Sequence, residues 1–493
     1  MGRLIVCTLA ASLALPFAAG RAAAKDTLTL GMVLEPPGLD PTAGAAAAIR
    51  EVTYANIYEG LVRIDAQGKV RPALAASWTI SPDGLAYTFH LHSGVRFHDG
   101  APFDCSVVKF SYERALSPDS TNAQKGLFEP IAAVACPDAT TAVVTLKRPT
   151  ASFLFDMGWG DAVMLSPASI ASDRTNPVGT GPFRFVRWVK GDRVELERFS
   201  GYWGQAPKLA RVTFRFISDP SAAAAAVMAG DLDAFPNFPA PEVLDRLKAD
   251  PRFSVVVGTT EGKTILALNN ARKPFDDVRV RRALAMAIDR QGLIEGAMSG
   301  YGTPIGAHYV PTDPGYIDLV SKYPYNPEAA KKLLAEAGVK PGTTIEIKLP
   351  PPVYARRGGE LIAAYLEQVG LKADLVPVEW AQWLEGPFRN GDYAATIISH
   401  TEPRDLDIFA REKYYFNYKS EAYRSLFAQY QAATDPTKQT ELVGALQRQL
   451  ADDEPVVFLF ALAKVGVWNA KLRGMWINSP IPANDVTGVS WAE

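Results

Sequence analysis

Alternating apolar and polar residues predict β-strands at several points along the chain. Tyr87, Phe89 and Leu91 fall on one face of an extended segment, and polar side chains fall on the other face. The same two-residue period recurs in residues 211–216 and in residues 345–349. We expect each of these segments to form a strand with one buried face.

Apolar residues spaced three or four apart predict helices, and capping residues mark where these helices begin and end. Asn326 and Pro327 supply a capping side chain and a proline at the first helical position, and Gly338 follows the last turn. Asp277 and Asp435 precede two further helical stretches. Because strands and helices alternate along the whole chain, the fold class is predicted to be α/β, or mixed α+β.

The N-terminal segment differs from the rest of the chain. A short basic start is followed by an apolar run from Leu4 to Ala19, which Pro16 interrupts, and by small residues near Ala22. The run is shorter than the ~20 apolar residues of a membrane-spanning helix. We therefore expect residues 1–24 to be a cleavable signal peptide rather than an anchor, and the protein to be exported.

Composition excludes some classes of function and limits the number of domains. The 51 Lys and Arg residues nearly balance the 53 Asp and Glu residues, so the chain has no basic excess for binding nucleic acid. Its length suits two or three domains. Cys7 would leave with the signal peptide, so Cys105 and Cys136 would form a disulfide in an oxidising compartment or remain as two buried thiols.

Sequence patterns for catalysis are missing. We find no hydrolase motif and no Cys/His cluster with zinc-ligand spacing, and we expect no enzymatic activity, cofactor or resident metal. Gly258 and Gly262 begin a segment that looks like a phosphate-binding loop, but three residues separate the glycines where the loop requires four. We interpret this segment as a turn between two strands.

The histidines differ in their surroundings. His90 and His92 fall on the polar face of a predicted strand, and His308 lies in loop-like sequence. His400 follows an apolar strand-like run and opens the polar segment 401–407. Ligands often bind where strands end in α/β sheets, although an ordinary exposed loop would look the same.

One block of motifs resembles family 5 of the extracellular solute-binding proteins, which are the dipeptide, oligopeptide and nickel receptors of ABC importers. The block covers residues 71–78, 81–89 and 94–100. Further segments resemble the family in the same order over most of the chain, namely residues 58–61, 179–183, 202–203, 230–233, 268–270, 274–281 and 325–334.

The resemblance implies a two-lobed periplasmic-binding-protein fold with a small domain inserted in the first lobe. Two crossing segments, near residues 260–270 and 458–467, would form a hinge, and the ligand would be enclosed between the lobes when they close. The implied boundaries are lobe I in residues 25–55, 178–268 and 465–493, the small domain in residues 56–177, and lobe III in residues 269–464.

The resemblance also implies ligand-binding residues. Glu35 lies in the loop that lines the pocket in this family, and Trp159 is a candidate pocket wall from the small domain. Arg356 and Arg357, before the apolar helical stretch 361–369, are candidates for binding a ligand carboxylate. They would alternatively be solvated cations in the first turn of a helix.

An acidic residue after a lobe III strand holds the peptide amino group in peptide receptors of this family. The matching segment of this chain lacks a cleanly placed aspartate, and Glu402, Asp405 or Asp407 would have to replace it. His400 is a further candidate, because an imidazole can donate to a carboxylate or bind a metal.

We therefore expect a periplasmic solute-binding component of an ABC importer. It would be a monomer that works with a membrane permease and does not bind nucleic acid. Its solute would be a short peptide or a peptide-like molecule with a carboxylate, such as an opine or an amino-acid conjugate. The alternatives are a receptor for a nickel or iron chelate or haem and, from a different class, a periplasmic chaperone or a sensor-linked receptor.

Overall fold

The computed structural model describes Gly2 and residues 25–492. The predicted signal peptide, residues 1–24, therefore lies outside the described residues except for Gly2. Within the described part of the chain, none of the helices combines the length and apolar character needed to cross a membrane.

Helices and strands alternate through the described residues, as the periodicity predicts. The strands are β1 (Thr27–Met32), β2 (Val62–Ile64), β3 (Val70–Pro72), β4 (Ala75–Ile80), β5 (Ala86–Leu91), β6 (Ile131–Asp138), β7 (Thr141–Leu146), β8 (Phe183–Val189), β9 (Arg193–Arg198), β10 (Arg211–Phe216), β11 (Ala234–Phe235), β12 (Phe253–Leu268), β13 (Gly302–Pro304), β14 (Thr344–Leu349), β15 (Lys372–Pro377), β16 (Ala395–His400), β17 (Val456–Asn469), β18 (Leu472–Arg473) and β19 (Ser490–Trp491).

The α-helices are mostly short, and a 3₁₀ turn, Pro241–Val243, leads directly into the fifth of them. They are α1 (Ala47–Thr53), α2 (Cys105–Leu116), α3 (Phe153–Asp156), α4 (Pro220–Ala229), α5 (Leu244–Lys248), α6 (Val278–Ala287), α7 (Arg290–Met298), α8 (Pro327–Glu336), α9 (Val353–Gln368), α10 (Trp380–Trp383), α11 (Glu421–Ala432) and α12 (Pro436–Asp453). A π-helical stretch, Leu384–Asn390, continues α10.

Capping side chains begin the helices where the sequence predicts them. The Asn326 side chain accepts a hydrogen bond from the backbone N–H of Ala329 at the start of α8. Asp277 and Asp435 cap α6 and α12 in the same way. Gly338 follows α8 with a φ of 77°, a left-handed conformation that glycine adopts without strain. These three predicted helix starts are confirmed.

One large sheet runs through both lobes. Its strand order is β15-β14-β16-β12-β17-β11-β1-β10-β9-β8, and β13 pairs with β17. We use lobe I for the part built on β1 and β8–β11, and lobe III for the part built on β14–β16. β12 and β17 lie between these two sets of strands, so the lobes are joined by paired strands rather than by a flexible linker.

The pairing of the two crossing strands is irregular where one lobe meets the other. β12 and β17 pair antiparallel from Phe253 opposite Asn469 to Ala267 opposite Val456. Their register shifts between Thr259 and Lys263, which places extra residues in β12. A β-bulge of this kind kinks a strand and increases its twist. We therefore predict that the lobes turn about this point.

The segment from Gly258 to Lys263 lies inside β12, so the prediction of a turn between two strands is wrong. The backbone of the C-terminal tail packs closely against this part of the strand. A Cβ atom added at Gly258 would lie 2.2 Å from the carbonyl oxygen of Ile477. The glycine is thus required for close packing, and its spacing from Gly262 reflects the bulge rather than a phosphate site.

The small domain contains a separate sheet, β4-β5-β7-β6, against which α2 packs. Its apolar core runs from Leu61 to Met164, whereas Val163 and Leu165 pack into the core of lobe I. A disulfide joins Cys105 in α2 to Cys136 in β6. The bond ties the helix to the outer strand of the sheet.

We predict that replacing both Cys105 and Cys136 with serine destabilises the small domain. The bond closes a loop with a sequence separation of 31 residues. On the chain-entropy model its loss lowers the free energy of unfolding by about 3–4 kcal/mol. Urea unfolding of the oxidised protein and of the double variant measures the difference. Equal midpoints for the two proteins, with both thiols of the wild type blocked from labelling, would contradict the prediction.

Candidate functional site

A cavity of about 360 Å³ lies at the carboxyl end of β1. β1 pairs in parallel with β10 and β11, so the cavity lies at the sheet edge where α/β proteins commonly bind ligands. We call it the β1 cleft. Its wall consists of Gly31, Met32, Val33, Leu34, Glu35, Ala46, Ala47, Ala48, Glu51, Pro236, Asn237 and Asn484.

Glu51 is one of the two charged residues in this wall. It lies on α1, is half-buried, and receives a long hydrogen bond of 3.4 Å from the Asn237 side-chain amide. Burial raises the pKa of Glu51, while the positive charge of Lys464 lowers it by a smaller amount. The carboxyl group is therefore poorly solvated and weakly paired, which favours a cationic or hydrogen-bond-donating partner.

Lys464 lies behind the cleft in β17 and has its own partners. Its Nζ donates to the carbonyl oxygen of Trp476 at 3.0 Å. Burial lowers the pKa of Lys464 to about 8. The C-terminal tail that accepts this hydrogen bond also braces β12, because Ser479 donates its backbone N–H to Thr259. The lysine thus ties the tail to the hinge.

Glu35 lines the β1 cleft, but its carboxylate binds within lobe I. It accepts hydrogen bonds from Trp188 Nε1 at 2.9 Å and from the backbone N–H of Gly191 at 3.1 Å. Both donors lie at the β8–β9 turn. The predicted ligand-binding residue therefore also holds the loop after β1 in place.

A second group of polar side chains lies at the carboxyl end of β16. We call Lys263, His308, His400 and Asp405 the polar cluster. Lys263 of β12 is directly opposite His400 of β16 in the sheet, so their side chains share one face. Asp405, from the loop after β16, lies between them. All four residues are buried, including His308, which the sequence placed in a loop without partners.

Asp405 holds the polar cluster together. Its Oδ1 lies 2.9 Å from Lys263 Nζ and 3.0 Å from His308 Nε2. Its Oδ2 lies 3.5 Å from His400 Nδ1. His400 Nε2 is in turn 2.8 Å from the Tyr415 hydroxyl. One carboxylate therefore compensates one buried ammonium group and lies beside two imidazoles.

The protonation states of the polar cluster follow from burial and charge. Burial would raise the pKa of Asp405, but His308 and Lys263 hold it well below its usual range. Burial would likewise lower the pKa of Lys263, but Asp405 and Glu261 raise it. Burial lowers the pKa of His308 to about 4. At neutral pH the cluster thus holds an ion pair and an uncharged His308.

The polar cluster also includes a set of donors that suits a transition metal. Donor atoms of His308, His400 and Asp405 lie within 4.8 Å of one another. Two imidazoles and a carboxylate are common ligands of zinc, nickel and copper. The ammonium group of Lys263 already neutralises the same carboxylate, however, and a metal ion would have to share it. The arrangement therefore fits an ion pair better than a metal centre.

The other acidic candidates are more exposed than Asp405. Glu402 retains 59% of its side-chain exposure, and its Oε2 accepts a hydrogen bond from the backbone N–H of Thr401. Asp407 pairs with Arg411 one helical turn later, at 2.7 Å. Of the three residues proposed for an amino-group anchor, only Glu402 combines exposure with a carboxylate outside an ion pair with Lys or Arg.

The two candidate arginines lie within α9 rather than before it. Arg356 donates to the backbone carbonyls of Pro350 and Val378, which joins the helix to the ends of β14 and β15. Arg357 is exposed. The alternative of a solvated cation describes Arg357, which lies just after the first turn of α9, whereas Arg356 is held by backbone carbonyl groups.

Trp159 is buried in a small apolar cluster with Tyr54, Phe155 and Ile481. It is not among the residues that line the β1 cleft. Packing between the small domain and the C-terminal tail explains its position, because this contact removes a large aromatic surface from water.

Lobe III and the small domain touch beside the polar cluster. Arg404, next to Asp405, donates to the carbonyl oxygen of Gly68 at 2.5 Å. Its guanidinium lies 3.5 Å from the centre of the Phe155 ring, a cation–π contact. The loop that positions Asp405 is thus also a bridge to the neighbouring domain.

Sequence patterns did not point to Glu51, Lys263 or His308. Glu51 follows an alanine-rich stretch that helix propensity explains, and His308 has no partner within its own segment. Lys263 was interpreted as part of a turn. Lys263 lies two residues before the apolar run Ile265–Leu268, and a charge carried into a buried strand is the signal that could have identified it, since such a charge requires a buried partner.

Comparisons with known proteins agree with this architecture. Residues 69–419 match the family described as bacterial extracellular solute-binding proteins, family 5 Middle. A protein of Pectobacterium atrosepticum named glutathione-binding protein GsiB is 35% identical over 372 residues, which cover 73% of this chain and 70% of that protein.

Solved structures show the same fold over almost the whole chain. HbpA2 from Haemophilus parasuis has a TM-score of 0.86 and 25% identity, covering 95% of this chain and 100% of that chain. The periplasmic binding protein DppA from Helicobacter pylori, in complex with the peptide STSA, has a TM-score of 0.77 and 26% identity, covering 95% and 99%.

We predict that Lys263→Met is strongly destabilising, because it leaves the Asp405 carboxylate buried without its cation. The expected loss in the free energy of unfolding is about 3–5 kcal/mol. Adding Asp405→Leu to this variant should restore most of the loss, since the pair is then replaced by apolar side chains. Urea unfolding at pH 7 measures both. A single variant within about 1 kcal/mol of wild type would contradict the prediction.

We also predict that the contribution of His308 to the stability of the protein depends on pH. The pKa of His308 is about 4 in the fold, against an ordinary value of 6.5, so the unfolded chain binds a proton that the folded chain excludes. This contribution to stability is complete above pH 6.5 and is lost as the pH falls towards 4. As the pH falls from 7 to 4, the free energy of unfolding of His308→Gln should therefore rise relative to that of wild type by on the order of 3 kcal/mol. Parallel pH profiles of unfolding for the two proteins would contradict this.

Proposed function

The chain belongs to family 5 of the bacterial extracellular solute-binding proteins, and we propose that its solute is a short peptide or a peptide-like molecule with a carboxylate. Glutathione, a tripeptide, is the first compound to test. The observation that carries the proposal is the β1 cleft, which lies at the carboxyl end of parallel strands and next to the crossing of β12 and β17.

The size of the cleft supports a small solute. Its volume of about 360 Å³ falls in the range of pockets that hold small ligands. Its wall combines the apolar side chains of Met32, Val33 and Leu34 with the carboxylates of Glu35 and Glu51. Relatives named for glutathione and for a bound peptide support a peptide rather than a sugar or an ion.

The hinge between the lobes would allow the change from an open to a closed conformation. Closing about the bulge of β12 would bring lobe III towards the β1 cleft. A solute favours the closed state only by the contacts that it makes in that state. Glu402 and Arg357 are exposed on lobe III and carry opposite charges, so they are our candidates for those contacts. Asp405 would act indirectly by positioning the loop that carries Glu402.

We infer an exported monomer in the periplasm, with residues 1–24 removed, that delivers its solute to an ABC importer permease and binds no nucleic acid. We also infer that it has no catalytic activity. The Asp405 carboxylate is neutralised by Lys263, so it is a poor general base despite the neighbouring histidines.

A thermal-shift screen of residues 25–493 tests the proposal. The library contains glutathione, dipeptides and tripeptides, opines, and nickel or iron chelates. A solute present at 100 times its dissociation constant should raise the free energy of unfolding by about 2.7 kcal/mol, a readily visible shift. We expect the largest shifts with glutathione or with short peptides, and isothermal titration to confirm one site per chain.

Two controls make the screen decisive. Amidated peptides test the need for a carboxylate, and each chelate is accompanied by its metal-free chelator. A response to chelates alone, lost in His400→Ala, would replace the peptide proposal with the chelate alternative. A response to unfolded polypeptides but to no small solute would favour a chaperone. Either result would overturn the proposed function.

A further inference from the structure

The charged residues in the wall of the β1 cleft are all acidic. Two of its wall residues are acidic, Glu35 and Glu51, and none is a lysine, arginine or histidine. The Glu35 carboxylate is already held by Trp188 Nε1 and by the Gly191 N–H. Among the described residues, the hydrogen-bond partner of the Glu51 carboxylate is Asn237, at the long distance of 3.4 Å. The cleft therefore offers one carboxylate whose hydrogen-bonding capacity is largely unused.

The cation behind Glu51 does not satisfy it. Lys464 Nζ is directed to backbone carbonyls of the C-terminal tail, those of Trp476 and Asn478. No ion pair between Lys464 and Glu51 forms within 4 Å among the described residues, although the lysine is close enough to influence the pKa of Glu51. A second positive group, brought by the solute, would complete the environment of the carboxylate.

The acidic residues of lobe III are less suitable for this role. Asp405 already binds Lys263, so a solute ammonium group would have to displace a buried lysine. Asp407 is paired with Arg411. Glu402 is exposed, and a charge pair in contact with water contributes little free energy. The half-enclosed carboxylate in lobe I is thus the better partner for an ammonium group.

We infer that Glu51 binds the ammonium group of the solute, so that the amino end of the solute lies in lobe I and the opposite end faces lobe III. This inference rests on the proposed function and assigns a polarity to the bound peptide. Lys263 takes the place beside Asp405 that a solute ammonium would otherwise occupy. The solutes selected are those with a free amine, and acylated amines would bind poorly.

The test compares amine-bearing and acylated solutes on three proteins. Isothermal titration measures glutathione against N-acetylglutathione, and the dipeptide Ala-Ala against N-acetyl-Ala-Ala. The proteins are wild type, Glu51→Gln, and Glu242→Gln as a matched control on the exposed surface of lobe I. Glutamine preserves the shape of Glu51, and the melting temperature of each unliganded variant reports whether it is folded.

Wild type and the Glu242→Gln variant should bind the free amine about tenfold to a hundredfold more tightly than the acylated form, as expected for a charge-assisted hydrogen bond. Glu51→Gln should lose most of this preference while remaining folded. Glu51→Asp, which keeps the charge on a shorter side chain, should retain part of it and guards against a purely structural effect.

The outcomes separate this inference from the proposed function. If wild type binds neither pair of peptides nor any other solute of the screen, the proposed function and the inference both fail. If wild type prefers the free amine and Glu51→Gln keeps the full preference, the function stands and the inference is overturned. Loss of the preference in Glu402→Gln instead would place the ammonium group in lobe III, which also overturns it.

Discussion

The antiparallel pairing of β12 with β17 carries both lobes in one sheet. The two strands are 16 and 14 residues long, far longer than a typical strand, and all other strands of the large sheet are arranged on either side of them. A continuous ladder of this kind resists shear and separation, but a bulge allows it to bend. We therefore expect the interval from Thr259 to Lys263 to set how the lobes move.

Two lysines lie at or near this same interval, where burying a charge costs free energy. Lys263 immediately follows the register shift, and Lys464 lies near it on the partner strand. Each lysine is compensated differently, Lys263 by the carboxylate of Asp405 and Lys464 by carbonyl groups of the C-terminal tail. Because removing one partner of a buried pair costs more than the pair contributes, these contacts fix the loops around the hinge.

Several features could be predicted from local sequence. The caps of α6, α8 and α12 and the alternation in β5, β10 and β14 depend on neighbouring residues, so pattern was sufficient. The segment that begins at Gly258 was predicted wrongly because this glycine packs against Ile477, more than 200 residues away in the chain. Arg356 was placed before a helix that in fact begins at Val353.

The fold class and the family could be predicted from the chain alone, because motif order and periodicity are properties of the sequence. Which charges lack a partner became clear only from the packing of distant segments. Asp405 is a plausible ligand anchor in sequence, yet Lys263 and His308, from distant segments, already occupy its carboxylate. Glu51 lies in an unremarkable helix, yet folding leaves it in a cleft with one weak partner. Whether a charge is compensated depends on which segments meet in space, and short-range patterns do not contain that information.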